Sequence, residues 1–190
     1  DTWSLLLPRL VSDGVWWFYL FWLPKYLADQ RGFSLHDIGL LAWLPYLFAD
    51  LGALAGGLFT GWLVARGRPV MRARSLGMWP FAMLMPVSVL IPRVDTQTAL
   101  ALICVVAFAH MVWKTNLQTV ANDIIPTAII GSVSGLIAFG SGLGGSLFTY
   151  FTGIVVENVS YDAIFVIMGF LHPLSYVIFR FMQRSRFARA

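Results

Sequence analysis

The stretch CVVAFAHMVWKTNLQTV, residues 104–120, holds a lysine, Lys114, near the middle of an apolar run. Extended to residues 98–122, that run is long enough to cross a bilayer as a helix. An ammonium at such depth in hydrocarbon costs about 2.5–3.5 kcal/mol on insertion scales. Charged groups placed there face a bundle interior or a water-filled cavity, where a counter-charge offsets the cost. The stretch therefore predicts one helix of a multi-helix membrane bundle, with Lys114 turned toward something anionic.

The rest of the chain has the same character. Of its 190 residues, 58% are hydrophobic and 12% charged, against roughly 25% charged in soluble domains. That is the composition of an integral membrane protein. Runs of about 20 apolar residues recur at 10–28, 38–65, 75–91, 98–122, 132–156 and 161–182. The second is long enough to tilt or to project beyond the bilayer. Uninterrupted runs exclude a β-barrel, whose strands are short and alternating. The expected fold is all-α with six transmembrane helices. The loops between them are short and leave no room for an extramembrane catalytic domain.

A formal net charge of +4 raises nucleic-acid binding, but the positions of the charges argue against it. Arg66, Arg68, Arg72 and Arg74 share one loop, and Arg180, Arg184, Arg186 and Arg189 cap the tail. With Arg9, all fall on one side of a six-span topology. Lys25, Arg31 and Arg93 fall on the other, with most of the acids: Asp29, Asp37, Asp95, Glu157 and Asp162. That is the positive-inside pattern, and it predicts both termini in the cytoplasm. The single cysteine, Cys104, permits no internal disulfide and supplies no metal cluster, so neither a metal nor a cofactor is expected. The chain opens on Asp1-Thr2-Trp3 without an initiator methionine, and a piece of a longer polypeptide is expected.

Local signals punctuate the spans. Ser34 precedes the second, with Asp37 three residues on in the manner of a capping box. Pro126, in NDIIPTAIIGS, cannot continue the fourth helix. Small residues recur four apart at Gly52–Gly56 and Gly57–Gly61 in the second span, and at Gly131–Gly135 and Gly140–Gly144 in the fifth. Such spacing lets helix backbones approach closely in lipid. Its recurrence in the middle member of each group of three spans suits a three-plus-three inverted repeat. These glycines either pack within the chain or form a seam against a missing partner domain.

His110, Lys114, Gln118 and Asn122 follow one another at four-residue steps. They make a polar stripe about a third of the circumference wide on a helix turning 100° per residue. A hydrated cavity wall needs such a stripe, and a lipid-facing helix does not tolerate it. Lys114 suits a substrate carboxylate, and His110 and Gln118 suit hydroxyls. An internal ion pair of Lys114 with Asp13 or Asp50, the acids inside the first two spans, is the alternative. Either acid is also a candidate proton carrier, because burial disfavours the anion. The first span is dense in aromatics. Trp22 and Tyr26 suit the membrane interface, whereas Trp17 and Tyr19 lie deeper, where a ring face can stack on a sugar. No GxxxxGK[ST], HExxH or paired CxxC is present. Phe139-Gly140-Ser141-Gly142 with His172 mimics the dyad of a rhomboid-like intramembrane serine protease, although Phe139 stands where glycine is usual.

Several phrases resemble the major facilitator superfamily, specifically its anion:cation symporter branch and the hexuronate-type transporters. They are WWFYLFWLPKYL in the first span, YLFADLGALAGG around Asp50, RGRPVMRAR in the loop, and ANDIIP followed by GSVSGLIAFGSGLGG. The resemblance covers nearly the whole chain, but only the second half of such a transporter. It implies the C-terminal six-helix half, residues 1–190, of a twelve-helix fold that rocks about a central site in alternating access. It further implies that the first, second, fourth and fifth spans line the cavity or the seam with the N-terminal half. Proton-coupling carboxylates would lie largely in that other half.

Two positions depart from the pattern. Gly61 stands where the superfamily's loop motif usually has aspartate, and Lys114 stands where hexuronate-type members commonly have a small polar residue. The resulting expectation is a secondary transporter of the bacterial inner membrane that takes up a sugar acid, hexuronate or aldonate, with protons. A dicarboxylate or aromatic acid is the alternative substrate. The expected contacts are Lys114, Gln118, His110, Trp17 and Tyr19.

Overall fold

The structure, a computed structural model, describes residues 2–184. Arg186 and Arg189 of the basic tail lie outside the described residues. Among the described residues, five helical stretches are long and apolar enough to cross a membrane: Leu35–Ala65, Val70–Arg93, Thr96–Ile124, Ile130–Asn158 and Tyr161–Met182. The first expected span exists, but broken into three: α1 (Thr2–Ser12), α2 (Gly14–Phe21) and α3 (Leu23–Arg31).

The breaks have local causes. The Ser12 hydroxyl donates to the Pro8 carbonyl at 2.8 Å, and back-bonding of this kind bends helices. Pro24, two residues beyond the break at Trp22, has no N–H to donate. Asp13 and Trp22 keep near-helical backbones, at φ −71°, ψ −17° and φ −108°, ψ −22°, so the stretch bends without turning back. At 1.5 Å per residue, residues 2–31 reach about 45 Å, the thickness of a bilayer with its headgroups.

The second span begins with the expected capping box. The Asp37 amide donates to Ser34 Oγ at 3.2 Å, and the Ser34 amide donates to Asp37 Oδ2 at 2.9 Å. It runs as α4 (Leu35–Leu41) and α5 (Leu44–Ala65), divided just before Pro45. The third opens as α6 (Val70–Leu84) and tightens into a 3₁₀ helix, Met85–Arg93, which holds Pro86 and Pro92. Such runs are uncommon at this length. Docking holds this one: the Ser88 hydroxyl donates to the Phe165 carbonyl at 2.8 Å, and Gly169 leaves room for Ser88 and Pro86.

The fourth span, α7 (Thr96–Ile124), starts at Asp95, whose carboxylate accepts from the Gln97 and Thr98 amides, both at 3.1 Å. It stops two residues short of Pro126, as expected. The fifth and sixth are α8 (Ile130–Asn158) and α9 (Tyr161–Met182).

Packing follows a two-fold pattern. The second span (α5) lies along the fourth (α7), and the first (α1, α2) lies along the fifth (α8). The third packs on the fourth, the sixth on the first, and the third and sixth on each other. Exchanging spans 1–3 with spans 4–6 swaps the first two pairs, swaps the next two and leaves the third–sixth pair unchanged, which is what an inverted repeat demands.

The glycines explain the closest approaches. A Cβ on Gly52 would strike the Phe108 carbonyl of α7, and one on Gly144 would strike the Leu10 carbonyl of α1. A Cβ on Gly56 would come within 3.0 Å of Val112, and one on Gly140 within 3.0 Å of Leu6. Gly57 has one neighbour, at 3.9 Å, and Gly61 has none within 4 Å. Of the eight glycines in these repeats, Gly52, Gly56, Gly140 and Gly144 thus pack inside the chain, while Gly57, Gly61, Gly131 and Gly135 stay open among the described residues.

Candidate functional site

The first and fourth spans, equivalent under the two-fold pattern, approach each other around a polar recess. α7 contributes Met111, Lys114, Thr115, Gln118 and Thr119; α1 contributes Arg9. The recess measures about 260 Å³. That lies just below the roughly 300–1,000 Å³ of pockets for drug-sized ligands and suits a monosaccharide-sized solute. Recesses of about 400 and 550 Å³ occur elsewhere, but hydrophobic side chains line most of them.

Arg9 is the residue that sequence reading misplaced. Its place in the sequence groups it with the loop arginines, but it is 6% exposed inside the bundle. Its Nε meets Asp13 Oδ2 at 2.7 Å, and its Nη1 donates to Gln118 Oε1 at 3.1 Å. The Ser141 hydroxyl of α8 donates to the same Asp13 oxygen. Asp13 Oδ1 is buried without a hydrogen-bond partner among the described residues. A charge in the low dielectric of the bundle needs a partner of this kind, so Asp13, Arg9, Gln118 and Ser141 tie three spans together. The legible signal was the i, i+4 spacing of opposite charges within one helical run.

Lys114 is left over. Asp13 is engaged with Arg9, and Asp50 is exposed on the outer face of α5. Among the described residues Lys114 makes no ion pair, and its ammonium lies 5.6 Å from the ring centroid of Trp16. Contact with an aromatic face offsets part of the cost of the buried cation. The alternative expectation, an ion pair with Asp13 or Asp50, is not what forms.

Other expected contacts are distributed differently. His110 is fully buried, stacked on Trp16 with centroids 5.7 Å apart, and its Nδ1 lies 3.0 Å from His172 Nε2. Tyr19 is also fully buried, in the apolar core. Trp17 lines a separate recess with Phe21, Ser146, Thr149 and Tyr150, and packs against Gly145. Asn122 is exposed near the end of α7. Of the five expected substrate contacts, Lys114 and Gln118 share the cavity wall. Arg9, Thr115 and Thr119 join them, with Trp16 beside the ammonium, and none of these four was singled out from sequence.

The protease dyad does not assemble. The Ser141 hydroxyl is held by Asp13 and the His172 ring by His110. Neither group is poised to activate the other.

A family model described as the Major Facilitator Superfamily matches residues 1–149. The chain belongs to that superfamily. It is an integral membrane protein with the helical architecture of part of such a transporter. A hexuronate transporter of Escherichia coli is 27% identical over 172 residues, covering 88% of this chain and 39% of that protein. A probable L-galactonate transporter of the same species is 27% identical over 189 residues, covering 96% of this chain and 41% of its own. A probable galactarate/D-glucarate transporter, also from Escherichia coli, is 25% identical over 171 residues, covering 90% and 38%. The chain thus spans about two fifths of the length of these relatives. Membership in the superfamily accounts for the two-fold packing.

Proposed function

We propose that residues 1–190 form the C-terminal six-helix half of a twelve-helix secondary transporter. It takes up a sugar acid, a hexuronate or aldonate, across the bacterial inner membrane together with protons. Both termini lie in the cytoplasm. Transport proceeds by alternating access, with the N-terminal half closing the cavity from the opposite side.

One observation carries this reading. Lys114 is a cation without an acidic partner among the described residues, on the wall of a polar recess inside a membrane bundle. A charge in that position is retained where a passing ligand supplies the counter-charge. Lys114 binds the substrate carboxylate, Arg9 adds a second donor beside it, and Gln118, Thr115 and Thr119 meet hydroxyls. The names of the relatives, all sugar-acid transporters, support the substrate class.

The seam with the other half is supported by exposed apolar faces on the second and fifth spans. They carry Leu47, Leu51, Leu54 and Leu58 on α5, and Leu136, Phe139, Leu143 and Leu147 on α8. Gly57 and Gly61 belong to the open face of α5. Asp50 lies exposed on that same face, so its candidacy for proton coupling depends on burial against the other half.

The test is uptake of labelled hexuronate and aldonate by the full-length protein in proteoliposomes. Lys114→Ala should weaken apparent affinity about tenfold or more, the value of one lost charge-assisted bond. Lys114→Arg should retain part of it. Near-normal uptake by Lys114→Ala would reject the assignment.

A further inference from the structure

The cavity holds two cations, Arg9 and Lys114, but one buried carboxylate, Asp13, is already committed to Arg9 at 2.7 Å. We propose that Asp13 is a specificity-determining residue that limits this cavity to solutes carrying a single carboxylate. The inference rests on the proposed sugar-acid function and narrows it.

The argument is one of charge counting. Arg9 and Asp13 cancel, and the Ser141 hydroxyl fixes Asp13 in place from α8. Among the described residues lining the cavity, Lys114 alone contributes an uncancelled charge. His110 and His172 are both fully buried and hydrogen-bonded to each other, so neither adds a contact to the cavity. The other lining side chains, Met111, Thr115, Gln118 and Thr119, are neutral. A hexuronate or aldonate places its one carboxylate on Lys114 and its hydroxyls on the threonines and Gln118. An aldarate such as galactarate brings a second carboxylate, which meets neutral groups on this wall and an Arg9 whose charge is already offset by Asp13 and which also donates to Gln118. Removing that second anion from water without a partner is heavily disfavoured. Specificity here comes from the missing counter-charge as much as from the one provided.

The test is competition in proteoliposomes containing the full-length transporter. Unlabelled glucuronate, galactonate, galactarate and glucarate are titrated against labelled glucuronate or galactonate. The aldarates should compete at least about tenfold more weakly than the monoacids. Asp13→Asn keeps an oxygen for Arg9 and Ser141 but raises the site charge by one, and should shrink that gap to about threefold or less. The double variant Arg9→Gln/Asp13→Asn restores the original charge and should restore the gap.

Equal competition by aldarates in the wild type, as expected if the other half supplies a cation of its own, would overturn the inference. So would an unchanged gap in a folded Asp13→Asn variant. If that variant fails to fold, the wild-type comparison still decides. A protein that takes up neither class would instead reject the sugar-acid reading itself.

Discussion

The bundle has two glycine seams that make the same contact with different chemistry. Gly52 of α5 meets the Phe108 carbonyl of α7, and Gly144 of α8 meets the Leu10 carbonyl of α1. Beside the first seam lies Asn116, whose amide donates to the Val112 carbonyl at 2.9 Å and reaches the Gly56 carbonyl at 3.4 Å. Beside the second runs the charged chain of Arg9, Asp13 and Ser141. A two-fold arrangement of helices needs only small residues at matching places. A binding site needs particular side chains, and these need not obey the symmetry. The fourth span carries the unpaired cation and the first span the paired one. Fold symmetry and functional asymmetry therefore have separate origins.

The charged seam should break hardest. Asp13→Ala leaves Arg9 buried beside an empty space and should destabilise the full-length protein by about 3–5 kcal/mol. Thermal unfolding in detergent would read this; a loss under about 1 kcal/mol would mean that Arg9 finds another partner. Gly52→Ala and Gly144→Ala come next. Each forces a methyl group against a backbone carbonyl, at about 1–3 kcal/mol of overpacking. The comparison requires similar losses at the two positions, so a large effect at one and none at the other would refute the equivalence of the seams.

Lys114→Ala should separate stability from activity. Removing an unpaired cation should leave the unfolding temperature unchanged or raised while uptake falls. A clear drop in stability would instead give Lys114 a structural partner.

The smallest effect lies outside both seams, at Asp95. The Thr98 hydroxyl and the Thr98 and Gln97 amides hold its carboxyl below the usual carboxylate range. A depressed folded-state value means that its stabilisation of the α7 terminus is present above the ordinary range. It is lost as pH falls through the folded value. Amide exchange at Gln97 and Thr98, corrected for intrinsic rates, should quicken on acidification. Asp95→Ala should abolish that response, and a pH-independent wild type would contradict the cap.

Much of the architecture was legible in the chain. Run length gave the spans because a bilayer imposes a minimum apolar length. The Ser34–Asp37 box and the stop before Pro126 were legible because they depend on neighbours a few residues away. The breaks at Asp13 and Trp22 were less so. An apolar run reports its burial but not its straightness, and the bend depends on one hydroxyl choosing the Pro8 carbonyl. At the site, Lys114 stood out as a charge in hydrocarbon and Gln118 as its neighbour on the stripe. His110 shares that stripe yet turns to His172, because a stripe a third of a helix wide spans both a cavity and a helix interface.

By itself, then, the sequence determined a helical membrane bundle with an internal repeat and a lysine needing an anionic partner. Those properties follow from composition and short-range spacing. Only the tertiary structure decided which anion was already taken. Arg9 and Asp13 already sit at i, i+4 on the first span, but the Ser141 hydroxyl reaches Asp13 only because the fifth span packs against the first, across more than a hundred residues of chain. Pairing at that separation depends on helix packing that no local pattern encodes. It is what leaves Lys114 without an acidic partner among the described residues.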